Sequence, residues 1–133
     1  MFRPILLLQF LLLFVIALTY ASCTYDHEMN TVCSNIPDNV SFNLDIQPIF
    51  TSTCSDLGCH SGGAPEANLN LESTAYEDLT KPGTGYIDTI APTHSILYSQ
   101  LSSQTLPMPP DGKLDPCKIS LILKWIEQGA KNN

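Results

Sequence analysis

Two thiols and an imidazole fall within one short segment, Cys54-Ser55-Asp56-Leu57-Gly58-Cys59-His60. Three chemistries use such a group. The thiols can pair as a disulfide that closes a small loop. They can supply half of a zinc site, although zinc takes four ligands and no second cysteine pair with zinc-like spacing occurs in the chain. Or they can hold haem c: in a Cys-x2-Cys-His run each thiol adds across a haem vinyl group, and the following His is carried under the iron as its proximal ligand. Here the spacer is longer, residues 55 to 58. Because it contains Gly58, it can bulge outward while both sulfurs still reach the vinyls. The segment by itself leaves all three readings open.

The other titratable side chains offer less. His94 begins a helix beside Pro92, where a surface capping role suits it, and His27 lies in a polar stretch. Asp45, Glu77 and Asp78 are acid-base candidates by type, but nothing in their spacing pairs them, and solvated helix faces account for them.

The elements that must position these residues are short. Asn43 to Phe50 reads as a helix start, with Asn43 or Asp45 as cap and Pro48 tolerated in the first turn, where its missing N–H is not needed. Cys54 to Pro65 is a loop by its Gly and Pro content. Ser73 to Thr80 reads as a second helix with Thr74 and Glu77 at capping-box spacing, ended by Lys81-Pro82-Gly83. Thr93 to Leu101 gives a third, with Thr93 as cap and Ile96, Leu97 and Leu101 facing inward. The prolines of Leu106-Pro107-Met108-Pro109-Pro110 forbid a helix and favour extended backbone. Asp115-Pro116 then opens the clearest element. Ile119, Ile122, Leu123, Ile126 and Ala130 share one face, Trp125 widens it, and Gly129 ends it. No alternating β-branched run competes, so the expected fold class is all-α with long loops.

The N-terminus is of another kind. Arg3 is followed by an apolar run, Ile5 to Leu18, broken only by Gln9, and then by Thr19-Tyr20-Ala21-Ser22-Cys23. A charged start, an apolar stretch of about 14 residues and small residues after it describe a secretory signal peptide, shorter than the roughly 20 residues a bilayer span needs. Ala21 and Ser22 before Cys23 resemble a bacterial lipoprotein signal, in which that Cys is acylated. The expected division is 1–22 as signal peptide, 23–42 as a polar tether that becomes a structured arm near Cys33, and 43–133 as the folded domain. The mature protein is then periplasmic or at the cell surface, where disulfides are permitted, either anchored to a membrane through a lipid on Cys23 or released by plain cleavage near Ala21.

Setting the leader aside, residues 23–133 are about 37% apolar and carry 5 Lys against 13 Asp and Glu, a formal charge of −8. A nucleic-acid binder needs a basic face, so that class is excluded. So lean a chain builds only a modest core and needs a staple.

The ordered set Asp45-Ile46-Gln47-Pro48-Ile49-Phe50, the cysteine pair with His60, Ser95-Ile96-Leu97-Tyr98, Met108-Pro109-Pro110 with Gly112, and Ile119 with Trp125-Ile126-Glu127-Gln128-Gly129-Ala130 resembles one family. It is similar to the small monohaem cytochrome c domains of the planctomycete type, common as envelope proteins in Bacteroidetes-like bacteria. The resemblance covers about residues 43 to 130. It implies a cytochrome c-like fold of three to five short helices with long loops wrapped round one covalently attached haem c. It further implies Cys54 and Cys59 as thioether attachments, His60 as proximal and Met108 as distal iron ligand. The four-residue spacer departs from the family's common form. Rigid proline flanks suit Met108 to that role, since a weak thioether ligand must be held on iron, whereas Met elsewhere is more often a gap-filler. In such a fold the first and last helices cross, with Phe50 near Trp125, so the resemblance also implies a Cys33–Cys117 disulfide.

An iron held on both faces by protein has no open position for a substrate. The expected function is therefore one-electron transfer rather than catalysis, with Met ligation favouring the ferrous state. Its acidic surface implies redox partners in the cell envelope that dock through a basic patch. Haem would also be the missing apolar centre, so the haem-free chain is expected to be largely unfolded. The alternative from another class is a haem-free, disulfide-stapled surface lipoprotein acting as a binding module.

Overall fold

The computed structural model describes residue 33, residues 35–56 and residues 58–133. The expected signal peptide, the expected lipid site Cys23, His27 and most of the expected tether lie outside the described residues, as does Leu57.

The segment that begins the core is wound more widely than the sequence implies. Phe42–Ile46 forms a π-helical turn that runs directly into helix α1, Gln47–Thr53. Its cap is Ser41, not Asn43 or Asp45. Ser41 Oγ accepts the Leu44 N–H at 3.3 Å, and the Asp45 carboxylate accepts the Ser41 N–H at 2.8 Å. This is a reciprocal capping pair with the carboxylate one residue later than in an α-helix, because the π turn takes an extra residue. Pro48 sits in the first turn of α1, as expected.

Helix α2 is Ala75–Leu79 and helix α3 is Ile96–Ser102. The Thr74 hydroxyl does not cap α2 but donates to Asp78 at 3.1 Å, and the same carboxylate oxygen accepts the Asn70 N–H at 2.8 Å. Asp45 and Asp78 are thus local caps and turn-holders rather than free solvated charges. The stretch expected as one helix from Thr93 divides into a 3-10 turn, Pro92–His94, and α3. Ser95 separates them with extended backbone, φ −53° and ψ 132°, and its fully buried hydroxyl accepts the Asp88 N–H at 2.9 Å. Leu97 and Leu101 face the core, but Ile96 is 40% exposed.

Helix α4, Pro116–Glu127, follows its sequence signals closely. Asp115 accepts the Cys117 N–H at 2.7 Å. At the other end Gly129, with φ +90°, donates to the Ile126 carbonyl at 2.9 Å and Ala130 to the Trp125 carbonyl at 3.0 Å, the paired bonds of a Schellman cap. Among the described residues there is no strand, so they are all-α, and no helix is long and apolar enough to cross a membrane.

The core lies between the π turn with α1 and the inner face of α4. Ile46, Phe50, Ile122, Trp125 and Ile126 are fully buried. Trp125 meets Phe42 at 5.2 Å and Tyr76 at 6.5 Å between centroids, and Phe42 also stands 6.4 Å from Phe50 and 5.2 Å from Tyr76. The expected Phe50–Trp125 contact is therefore bridged by an aromatic residue assigned to the arm. The arm itself is well tied. Gln128 accepts the Val40 N–H at 2.9 Å and donates to the Asp38 carbonyl at 2.6 Å, and Cys33 is disulfide-bonded to Cys117 in the first turn of α4.

Two stability outcomes follow from this packing. Trp125→Ala should lower unfolding free energy by about 3–5 kcal/mol in denaturant titration, the cost of truncating a fully buried aromatic. Opening the Cys33–Cys117 bond, which spans 84 positions, should cost roughly 4 kcal/mol in the loop-entropy account. Peptide mapping that finds both thiols free in the native protein would remove the basis of the second outcome.

Candidate functional site

The cysteine-histidine segment leaves the end of α1 and folds back on it. Cys54 caps that helix, its N–H bonded to the Phe50 carbonyl at 2.8 Å. The spacer then doubles back so that the His60 N–H reaches the Cys54 carbonyl at 3.1 Å, bringing the two ends of the motif together. Gly58, with φ +85°, makes that reversal possible, since side-chain-bearing residues are strained there. Cys59 donates to the Asp56 carbonyl at 2.9 Å and accepts from the Glu66 N–H at 2.9 Å, while the His60 carbonyl accepts from Leu71 at 2.7 Å. The backbone of both Cys59 and His60 is thus fixed by bonds on either side.

The imidazole is oriented as well. His60 Nδ1 lies 3.1 Å from the Leu69 carbonyl oxygen. A carbonyl only accepts, so Nδ1 is the donor here, and in the neutral tautomer the lone pair lies on Nε2. A metal-ligating histidine is commonly held in this arrangement by its second nitrogen.

Facing this loop is the segment before α4. Met108 is anchored through its own N–H to the Gln100 carbonyl of α3 at 3.0 Å, and its side chain is 41% exposed. The segment is bent rather than extended, with Gly112 turning back to the Pro109 carbonyl at 3.4 Å. Between the two segments runs a crevice of two adjoining chambers, about 410 Å³ and about 390 Å³. Cys54, His60, Ala67 and Met108 line both chambers, and Cys59 lines the first. The exposed Ile96 and the buried Leu69, Leu97 and Leu101 wall the second. These volumes and largely apolar walls are those of a small-molecule or cofactor pocket.

Of the residues singled out in the sequence as candidates for chemistry, the crevice gathers Cys54, Cys59, His60 and Met108. His94 sits exposed in the 3-10 turn before α3, and Cys33 and Cys117 are bonded to each other. Cys54 and Cys59 are both free thiols. Among the described residues no three His, Cys, Asp or Glu side chains converge as a metal cage, a condition that one His and one Met on an iron do not need. The residues present fit a c-type haem: two free thiols on one chamber, an imidazole with its lone-pair nitrogen defined, a thioether lining the same two chambers, and apolar walls. Sequence reasoning missed Leu69, whose backbone oxygen orients His60, and Tyr86 and Gln100, which line the second chamber. A backbone acceptor leaves no residue-type signal, and an isolated Tyr or Gln in a polar loop or on a short helix carries none either.

Burial pushes the Cys54 thiol up to about 11, with Cys59 and Asp56 adding to the rise and Lys118 opposing it. Cys54 is thus a neutral thiol across the physiological range, a poor metal thiolate but a competent S–H donor. The chain matches no family model, no curated protein and no solved structure.

In haem-free protein that circular dichroism shows to be folded, iodoacetamide should label exposed Cys59 well before Cys54 at pH 8, and Cys54 should react appreciably only as pH rises toward its raised value. Mass mapping of alkylated peptides over pH 7 to 11 reads the order. Equal rates at pH 8 in folded protein would contradict the burial of Cys54, whereas a chain that is unfolded without haem should label both thiols alike. Because the folded value lies above that of the free thiol, this group's contribution to stability is present below about 9 and is lost as pH rises toward about 11.

Proposed function

We propose that this chain is a monohaem c-type cytochrome of cytochrome c-like fold, a one-electron carrier of the bacterial cell envelope. The observation that carries the proposal is the convergence of Cys54, Cys59, His60 and Met108 on one apolar crevice. When bound, haem supplies a single iron that cycles between ferric and ferrous states. Cys54 and Cys59 each form one thioether: the S–H bond adds across a vinyl C=C, sulfur bonding to one carbon and hydrogen to the other, with no net redox change. His60 would ligate the iron through Nε2, its ring oriented by the Leu69 carbonyl. Met108 would supply its sulfur as the second ligand, its backbone held at the Gln100 carbonyl. Leu69, Leu97 and Leu101 exclude water from that centre, which favours the less charged reduced form. An iron held by both His60 and Met108 would leave no open position for substrate turnover, which favours transfer of electrons to docked partners.

The test is the absorbance spectrum of protein matured with a cytochrome c assembly system, for wild type and Met108→Ala. Wild type should show a haem band that survives denaturation and should exclude carbon monoxide when reduced. Met108→Ala should keep the covalent band, lower the potential and bind carbon monoxide stoichiometrically. Absence of covalent haem in wild type would sink the proposal and favour a stapled binding module. Carbon monoxide binding to the reduced wild type would instead point to an iron that Met108 does not hold.

A further inference from the structure

The two chambers of the crevice are not equivalent, and their difference bears on how a haem would lie in it, an inference that rests on the reading just proposed. Both thiols line the first chamber, whereas the second touches Cys54 but not Cys59. His60 and Met108 line both, so the axis they define stands at the junction. Haem carries its two vinyl groups on one half of the ring and its two propionates on the other. With the vinyls bonded at the thiols, the propionates fall beyond the His60–Met108 axis, in the second chamber.

A carboxylate placed against apolar walls is costly unless donors meet it. Apart from His60 and Cys54, the polar side chains lining the second chamber are Tyr86 and Gln100, and among the described residues no Lys or Arg lines it. Gln100 is exposed at the rim of the chamber, its carboxamide free to turn toward a ligand, while its backbone oxygen is the anchor of Met108. The Tyr86 hydroxyl donates to the Ala67 carbonyl at 3.3 Å. That is long for an O–H donor, whose bonds usually fall near 2.7–2.8 Å, and a charged acceptor would draw the hydroxyl away from it. We infer that Tyr86 and Gln100 form the propionate-binding end of the crevice, as neutral O–H and N–H donors to a carboxylate-bearing edge.

The remaining titratable groups that line the crevice are Cys54, Cys59 and His60, all committed to haem in the loaded protein, and Glu66 in the first chamber. Glu66→Gln is therefore the control for a competing titration. Ser99→Ala, on α3 but not lining the chamber, is the control for helix perturbation. The experiment measures reduction potential against pH, together with the propionate bending bands in resonance Raman spectra, on matured protein. Tyr86→Phe and Gln100→Leu should each move the bend in the potential profile upward by about one pH unit, because a hydrogen bond to the ionised carboxylate is lost. Gln100→Lys should move it downward, and both controls should leave it in place. In all variants the two thioethers and the Met–iron absorption band should persist. Profiles and Raman bands of Tyr86→Phe and Gln100→Leu that superimpose on wild type would overturn this inference alone. A wild-type chain without covalent haem would overturn it together with the proposed function.

Discussion

The packing of Phe42 against Trp125, two rings 5.2 Å apart at the meeting of the π turn and α4, holds the frame from which both walls of the crevice hang. The cysteine-histidine loop leaves the end of α1, and the Met108 segment runs into the start of α4. If those two elements shift against each other, the walls shift with them. Much of the polar structure reinforces the same crossing. Ser41, Gln128 and Asn133 tie residues 38 to 43 to the end of the chain, and the Cys33–Cys117 disulfide ties the arm to the first turn of α4. The ion pair near this joint, Lys124 with a fully exposed Asp38 at 3.9 Å, adds little, as surface pairs generally do.

The candidate ligands are positioned mainly by backbone oxygens. The Leu69 carbonyl sets the His60 ring, the Gln100 carbonyl holds Met108, and the Cys54 carbonyl closes the spacer onto His60. Such supports depend on where short helices and turns lie rather than on particular side chains. They explain how a chain with few long elements can still define a crevice. They also accommodate the longer spacer: with Gly58 in the left-handed region, the His60 N–H returns to the Cys54 carbonyl at the end of α1.

Local chemistry was legible where a signal and its effect sit within one turn of each other. Asp115, Pro116 and Gly129 bound α4 because caps and positive-φ glycines act on neighbouring N–H and C=O groups. The same logic failed at Ser41, where the turn is π rather than α and every cap position moves by one. It failed at Ser95, where a buried hydroxyl bonded to Asp88 stops the 3-10 turn from continuing into α3. Ile96 was expected inside by its spacing, yet it walls the crevice, because a helix beside a cavity has two apolar faces and periodicity reports only their sum.

The amino-acid sequence by itself determined the helical class, the caps of α4, the acidic balance and the set of residues able to do chemistry, since these depend on residue type and short spacing. Only the tertiary structure decided that Cys54, Cys59, His60 and Met108 line one crevice, that Phe42 packs against Trp125, and that Tyr86 and Gln100 join the site. The physical reason is that each of these is a contact between segments far apart in the chain. Such contacts arise from packing α4 against the π turn, and no local pattern of residues encodes them.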